Sequence, residues 1–284
     1  VAWRRKLRKG LGKLPVDDEE PDQVAVEEFN DVPEDPVEFA VKWLKFKPTS
    51  YQENLLRDES KRIYVCWSRQ SGKSTTLAIR MIHRCLKYPG MLRLIVAPGL
   101  RQSMIMMDKI QDFLYSMPKF LRRRLIGKIQ RTTIRFKNGS RIVALPNSPN
   151  LLRGYSAGEV LCDESAFFRE DELIFFNVLY PMLQTSDGTL IASSTPWGKD
   201  TVFFKFSQNP DFSKHHITWR DVVKAGLAKE SFIEEMRREM PTERFRREFE
   251  AEFVEDELAY LSQDMITRCI NPVATLLPDS FFGF

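Results

Sequence analysis

The stretch Val65-Cys66-Trp67-Ser68-Arg69-Gln70-Ser71-Gly72-Lys73-Ser74 decides how this chain is read. Just before the loop, Ile63 to Trp67 is β-branched and aromatic, as a short buried strand would be. After the loop, Leu77, Ile79, Met81, Ile82 and Leu86 supply the apolar positions of a helix over Thr75 to Leu86. A strand, a tight loop ending Gly-Lys-Ser and then a helix form the setting a phosphate-binding loop requires. Gly72 lets the backbone approach phosphates with no Cβ in the way. Loop amides and the helix N-terminus direct partial positive charge at an anion. Lys73 reaches the β- and γ-phosphates, and the Ser74 hydroxyl is placed to ligate Mg²⁺. The usual pattern G-x-x-x-x-G-K-[ST] wants Gly where Trp67 stands. Taken alone, then, the loop also fits an ordinary strand-to-helix turn with a solvated lysine.

A second stretch narrows the reading. Glu159-Val160-Leu161-Cys162-Asp163-Glu164-Ser165 is an apolar strand ending in two adjacent acids. In an ATPase with such a loop, the first acid holds Mg²⁺ through water and the second polarises the attacking water. Asp163 and Glu164 fit those places. An apolar run ending in Asp-Glu is common by chance. Its separation from a Gly-Lys-Ser loop here is the usual one in a doubly wound nucleotide-binding sheet, and the pair together points to ATP hydrolysis.

Composition sets bounds around this. A chain of 284 residues holds one large α/β domain, or one plus a small appendage. No run approaches the ~20 apolar residues of a membrane helix. Arg4-Arg5-Lys6 is followed by no apolar segment, so no secretory signal is expected. Cys66, Cys85, Cys162 and Cys269 show no C-x-x-C spacing, which points to a reducing compartment and away from structural zinc. A net charge of +4 is compatible with a polyanionic partner without requiring one. The chain lacks an initiating Met and ends abruptly, and reads as a piece of a longer protein.

In order along the chain, a basic stretch from Val1 to Lys13 and an acidic, Pro-containing one from Asp17 to Asp35 show no sustained apolar period. Asp35-Pro36-Val37-Glu38 reads as a helix start, with Val37, Ala40, Val41 and Leu44 as its apolar stripe. Tyr51-Gln52 opens the next helix. An aromatic plus Gln upstream of such a loop fits adenine recognition, because the amide offers one donor and one acceptor; the plainer reading is a helix cap. Leu92 to Pro98 is a second buried strand, and a helix runs from about Arg101 to Ser116. Lys119, Arg122, Arg123, Arg124 and Lys128 form a basic cluster, either a solvated face or a nucleic-acid backbone contact. Thr132 to Lys137 and Ser140 to Leu145 flank Asn138-Gly139, which predicts a hairpin with a type I′ turn. Leu151-Leu152-Arg153-Gly154-Tyr155 places an Arg in a loop close to the acids. A helix from Asp171 to Leu183 follows. Thr189 to Ala192 then runs into Ser193-Ser194-Thr195-Pro196, which puts hydroxyls at a strand end where ligands bind in this fold class. His215 and His216 sit in a last strand as structural residues. Two helices follow, at about Lys229 to Met240 and Pro241 to Glu252, with Phe245, Phe249 and Phe253 along one face of the second, and the chain closes with the apolar Phe281-Phe282-Gly283-Phe284.

The succession Tyr51-Gln52, Ser68-Arg69-Gln70-Ser71-Gly72-Lys73-Ser74, Leu152-Arg153-Gly154, Leu161-Cys162-Asp163-Glu164 and Ser194-Thr195-Pro196 resembles the ATPase domain of the large terminase subunit, the DNA-packaging motor of tailed phages and related viruses. That family's loop has the form S-R-Q-x-G-K-[ST], so Trp67 is at home in it. Arg246 to Phe253 also looks like the family's helix just past the ATPase core. The resemblance covers about Phe46 to Phe253. It implies an α/β fold of the P-loop NTPase (RecA/ASCE-like) class, a mostly parallel sheet flanked by helices, with the N-terminal helix and the C-terminal helices joined as a small lid subdomain. It implies Tyr51 and Gln52 at adenine, and residues Ser68, Arg69, Gln70, Ser71, Gly72, Lys73 and Ser74 around ATP. Ser74 and Asp163 would hold Mg²⁺, and Glu164 would be the catalytic acid. Arg153 would match an Arg that enters a neighbouring subunit's site in some members, and Ser194, Thr195 and Pro196 would couple hydrolysis to DNA movement. Implied partners are double-stranded DNA, a portal protein, a small terminase subunit and further copies in a ring, in the host cell cytoplasm and without a membrane. The expected division is an arm over residues 1–34, the ATPase core over 35–220, a helical lid over 221–275, and over 276–284, including Phe281 to Phe284, the first strand of a nuclease domain. Nuclease activity is therefore not expected of this chain. A superfamily-2 helicase fragment would need a second RecA-like domain, for which the residues after Pro196 are too few. A non-catalytic DNA-binding scaffold would leave Lys73, Ser74, Asp163 and Glu164 unexplained.

Overall fold

The computed structural model describes residues 31–254. The charged N-terminal stretch over residues 1–30, the last part of the expected lid segment and Phe281 to Phe284 lie outside them.

Side chains alternate across strand β1 (Arg62–Trp67): Ile63, Val65 and Trp67 enter one core, and Tyr64 and Cys66 enter another on the opposite face. Both faces of the sheet are covered at its centre, so the central strands read as near-continuous apolar runs. The other strands are β2 (Leu92–Ala97), β3 (Ile126–Ile129), β4 (Thr133–Phe136), β5 (Arg141–Pro146), β6 (Glu159–Asp163), β7 (Thr189–Ser194) and β8 (Ser213–Ile217). They form one sheet in the order β3-β4-β5-β2-β6-β7-β1-β8. The run from β5 to β8 is parallel, and β3 and β4 are antiparallel at one edge. This is the mostly parallel, helix-flanked sheet read from the sequence. Its order places β7 between the loop strand β1 and the acid strand β6, so their carboxyl ends open onto one crevice.

Helices α1 (Pro36–Leu44), α2 (Ser50–Arg57), α3 (Lys73–Lys87) and α4 (Leu100–Ser116) cover one face. The expected helix after Glu164 forms as Asp171–Ile174 and Tyr180–Gln184 joined by a π-helical turn, Phe175–Leu179. With Val202–Gln208 it covers the other face.

Three local expectations are corrected. In α1 the cap is as read, with the Asp35 side chain accepting from the Val37 amide at 3.1 Å. The buried row, however, is Pro36, Phe39, Ala40 and Leu44, and Val41 is 45% exposed. Helical spacing from Phe39 and Ala40 to Leu44 leaves Val41 on the outer side. The hairpin forms, but not with a type I′ turn. Gly139 alone takes a left-handed φ of 81°, and the Phe136 amide donates to the Ser140 carbonyl at 2.9 Å. That is a three-residue loop with a glycine bulge. Asn138 stays out of the left-handed region, and its buried amide donates to the Cys85 and Leu86 carbonyls at 2.8 and 3.2 Å near the end of α3.

The third correction concerns the C-terminal helices, Glu230–Glu239 and α5 (Thr242–Phe249). Ile233, Phe245 and Phe249 make a small core of their own, with the Phe245 and Phe249 rings stacked at 5.1 Å. Phe253 does not extend that face. The helix has ended and Ala251 turns left-handed with φ 54°, so Phe253 packs edge-on against Phe204 at 4.9 Å. Nor does α1 join this cluster; Phe39, Ala40 and Leu44 belong to the main core beside α3. Among the described residues, no helix is long and apolar enough to cross a membrane.

Candidate functional site

The phosphate-loop stretch turns sharply between β1 and α3. Gln70 and Gly72 take left-handed φ values of 59° and 80°, and the Ser71 hydroxyl donates to the Ser68 carbonyl at 2.7 Å. Trp67 still belongs to β1. Its ring is fully buried and meets Tyr51 edge-on at 5.0 Å. The position where the usual loop has Gly is thus used for core packing under the site.

Tyr51 and Gln52 support the loop from beneath. The Tyr51 hydroxyl donates to the Ser71 carbonyl at 2.8 Å, and Gln52 Nε2 donates to the same oxygen at 3.2 Å. Gln52 Oε1 accepts from the Thr49 amide at 2.9 Å, the glutamine half of a capping box on α2. The expectation that this amide reads an adenine edge is not met in this conformation. Gln52 is 2% exposed, and both of its polar atoms serve its own chain. Gly72 acquires a second requirement here, because a Cβ on it would lie 2.4 Å from Gln52 Nε2.

The acids meet the loop from the other side of the crevice. Asp163 ends β6, is paired in register with Ser193 of β7, and accepts from the Ser193 hydroxyl at 3.3 Å. Burial pushes its carboxyl above the ordinary range, with the nearby Lys73 opposing and Glu164 reinforcing the shift. Glu164 takes a left-handed φ of 52° directly after the strand. Its Oε1 lies 3.5 Å from the buried Lys73 Nζ, and its Oε2 accepts from the Ser194 hydroxyl at 3.4 Å. A non-glycine residue held in that backbone region is a local strain of the kind that gathers at functional sites. Thr195 and Pro196 follow, both buried, and Thr195 lines the same cavity.

That cavity has a volume of about 630 Å³ and is lined by Ser68 to Ser74 together with Lys109, Glu164, Phe167 and Thr195. A second concavity of about 570 Å³ is lined by Glu170, Asp171, Glu172 and Asp200 among others, and such a carboxylate set repels a polyphosphate. The first therefore suits a nucleotide. Its oxygen donors also fit Mg²⁺. No group of three or more metal-binding His, Cys, Asp or Glu occurs among the described residues. Mg²⁺ does not need one, since it is held through one or two carboxylates plus substrate phosphates and water.

Two expected site residues differ in placement: Arg69 lines the cavity and Arg153 does not. The Arg69 guanidinium forms an ion pair with Glu248 of α5, and the Arg69 amide donates to the Glu248 carbonyl at 2.8 Å. Arg153 is exposed in the loop after the short helix Pro149–Leu152 and does not line the cavity. Sequence reasoning missed Glu248, Lys109 and Phe167. Glu248 was visible only as one charge among many on a charged helix.

The sequence profile described as terminase large subunit, T4-like-virus type, N-terminal, matches residues 65–268, more than two-thirds of the chain. The terminase large subunit of Thermus phage G20c is 26% identical over an alignment 245 residues long that covers 74% of this chain and 50% of that protein. The chain thus spans about half the length of the curated relatives it matches. The large terminase ATPase domain of Thermus phage P74-26, in a mutant form, shares the fold with a TM-score of 0.67 at 24% identity, over 76% of this chain and 98% of that one. The large terminase of a second thermophilic bacteriophage, in complex with ADP, does so with a TM-score of 0.60 at 13% identity, over 73% of this chain and 54% of that one. The chain belongs to the terminase large subunit family.

Proposed function

We propose that this chain is the ATP-hydrolysing motor domain of a viral large terminase, which drives double-stranded DNA into a procapsid. The observation that carries the reading is Lys73 and Glu164 facing each other at 3.5 Å across the nucleotide-sized cavity. Solved relatives of the same fold are complexes with ADP and with ATP-γ-S, which supports nucleotide binding here.

In this reading the loop amides and the N-terminus of α3 bind the β- and γ-phosphates, and Lys73 adds a full charge to them. Ser74 and Asp163 would hold Mg²⁺, which would supply charge neutralisation at the transferring phosphoryl group. Glu164 orients and polarises the attacking water, while the Ser194 hydroxyl on Oε2 fixes the carboxylate plane. Ser194, Thr195 and Pro196 lead from that hydrogen bond out of the sheet, the route by which hydrolysis is coupled to DNA movement. Tyr51 and Gln52 hold the loop in shape. Arg69 serves the nucleotide from the loop, and Arg153 serves the site of a neighbouring copy in a ring. The partners are double-stranded DNA, a portal protein and a small terminase subunit, in the host cell cytoplasm. No nuclease activity is assigned to this chain.

Steady-state ATP hydrolysis with and without double-stranded DNA tests this, using wild-type chain and Glu164→Gln. The amide keeps the size of the carboxylate but cannot take a proton or carry its charge. The expected result is hydrolysis in the wild type, with retained ATP binding and a loss of at least about 10² in rate in the variant. Near-wild-type turnover in Glu164→Gln removes Glu164 from the chemistry. ATP binding without hydrolysis in the wild-type chain, with and without DNA, favours the scaffold.

A further inference from the structure

Lys109 lines the cavity of the phosphate loop, although it lies mid-helix on α4, where a lone lysine ordinarily reads as solvated surface. The rotation of α4 is fixed by Met106, Met107 and Ile110, all buried in the core, and this leaves Lys109 half-buried at the helix edge. The other cations of the cavity have carboxylate partners, Glu164 for Lys73 and Glu248 for Arg69. Lys109 makes no ion pair and no side-chain hydrogen bond among the described residues, although Asp112 lies one turn further along the same helix.

Topology says which part of a ligand it would meet. Helix α4 follows β2, and β2 neighbours β6 on the side away from β7 and β1. Lys109 therefore approaches the cavity from the Glu164 side, opposite to α2, whose Tyr51 and Gln52 lie under the loop. An ammonium has three donors and no acceptor, so it suits phosphate oxygens rather than the mixed edge of a base.

We propose that Lys109 is a further phosphate-binding residue, whose ammonium contacts the terminal phosphate of a nucleoside triphosphate seated on the loop. This rests on the nucleotide reading above and adds a determinant of triphosphate over diphosphate preference. A charge-assisted hydrogen bond to a partly screened phosphate corresponds to roughly a tenfold change in affinity.

The test measures binding of a non-hydrolysable ATP analogue and of ADP, both with Mg²⁺, to wild-type chain, Lys109→Met and Lys109→Arg, with thermal melting as the fold control. Lys109→Met should bind the triphosphate about tenfold more weakly while its ADP affinity stays within about twofold. Lys109→Arg should recover most of the loss. Equal weakening for both nucleotides, or no change in either, overturns the proposal. If Lys109→Met fails to fold, Lys109→Gln is read by the same triphosphate-to-diphosphate ratio. A wild-type chain that binds neither nucleotide refutes the nucleotide reading itself, an outcome distinct from a bound triphosphate that ignores Lys109.

Discussion

Asp163→Asn should make the nucleotide-free, metal-free chain more stable at pH 8 while abolishing hydrolysis. The buried carboxyl is pushed up to about 6 from an ordinary 3.8, chiefly by desolvation. At ~1.4 kcal/mol per tenfold change in proton affinity, that rise places on the order of 3 kcal/mol of penalty on the ionised form in the folded chain. An amide removes the charge and still accepts from the Ser193 hydroxyl, which lies 3.3 Å from Oδ1. The new NH₂ needs an acceptor, and leaving it without one costs ~1–2 kcal/mol, so a gain on the order of 1–2 kcal/mol remains. In a domain of this size that is several degrees in Tm. The sign with pH is fixed. Because folding raises this pKa, the folded chain keeps a proton that the unfolded chain has lost between pH ~4 and ~6. The wild-type penalty is absent below that window and complete above it. The advantage of Asp163→Asn should therefore be full by pH 7 and vanish near pH ~5, and it should reverse towards pH ~4, where the cost of the unpartnered NH₂ is all that remains. Thermal melts of both proteins with chelator, followed by tryptophan fluorescence at steps from pH 4 to pH 8, measure this. A variant no more stable than wild type at pH 8, or a gap that does not change with pH, refutes the reasoning.

Lys73→Ala should weaken ATP binding and slow residual turnover, since the ammonium meets charge that is present in the bound state and shifts in the transition state; unchanged affinity and rate in a binding and turnover assay would mean the loop does not hold phosphate. Gly72→Ala should cost ~1–2 kcal/mol from its left-handed backbone alone, plus the contact with Gln52 Nε2; a double-mutant cycle with Gln52→Ala should recover only the second part, and full recovery would show that the backbone is unstrained. If Arg153 acts on a neighbour, specific activity should rise with protein concentration, and mixing Arg153→Ala with Glu164→Gln chains should restore turnover, because hybrid contacts contain complete sites; an inactive mixture alongside concentration-independent wild-type turnover refutes the trans role. The basic cluster around Arg122, Arg123 and Arg124 should give sequence-independent DNA binding that falls steeply with salt, and binding unchanged between low and high salt in a filter or fluorescence assay would exclude a backbone contact.

What was legible in the sequence was local or periodic. The loop could be read because phosphate chemistry demands adjacent residues in a strand-loop-helix setting. The sheet could be read because two-sided burial turns strands into apolar runs such as Leu92 to Ala97. Features resting on distant pairs could not be read. Arg69 meets Glu248 across 179 positions, and no spacing rule links them. Trp67 departs from the general motif and is at home in the family's form of the loop, but its packing on Tyr51 in the core is visible only in three dimensions. Gln52 carried a plausible chemistry, base recognition, and its cap and loop contacts used both polar atoms instead. The turn at Asn138 failed for a similar reason. Its side chain was committed to α3, and that tertiary demand outweighed the local turn preference.

The two charge pairs at the site differ in how readily they can be exchanged for phosphate. Arg69 is 61% exposed, and an ion pair at that exposure is worth ~0–1 kcal/mol, so a polyphosphate competes for the guanidinium on favourable terms. Lys73 and Glu164 are more enclosed, but 3.5 Å is long for a charge-assisted hydrogen bond, and Glu164 also has Ser194 as a donor. Neither cation is locked to its carboxylate. The attachment of the C-terminal helix does not depend on the Glu248 side chain. The Arg69 amide bonds the Glu248 carbonyl at 2.8 Å, His216 Nε2 bonds the Ala251 carbonyl at 3.0 Å, and Phe245 and Phe249 pack in their own core. A nucleotide can therefore take over the Arg69 guanidinium and leave Glu248 as an unpaired carboxylate while α5 stays seated. Arg247, on the same helix, has its guanidinium 5.0 Å over Trp197, the residue directly after Ser194-Thr195-Pro196. The phosphate loop and the segment that follows the hydroxyl-bearing strand end therefore both touch α5, the loop at Glu248 and the strand end's continuation at Arg247.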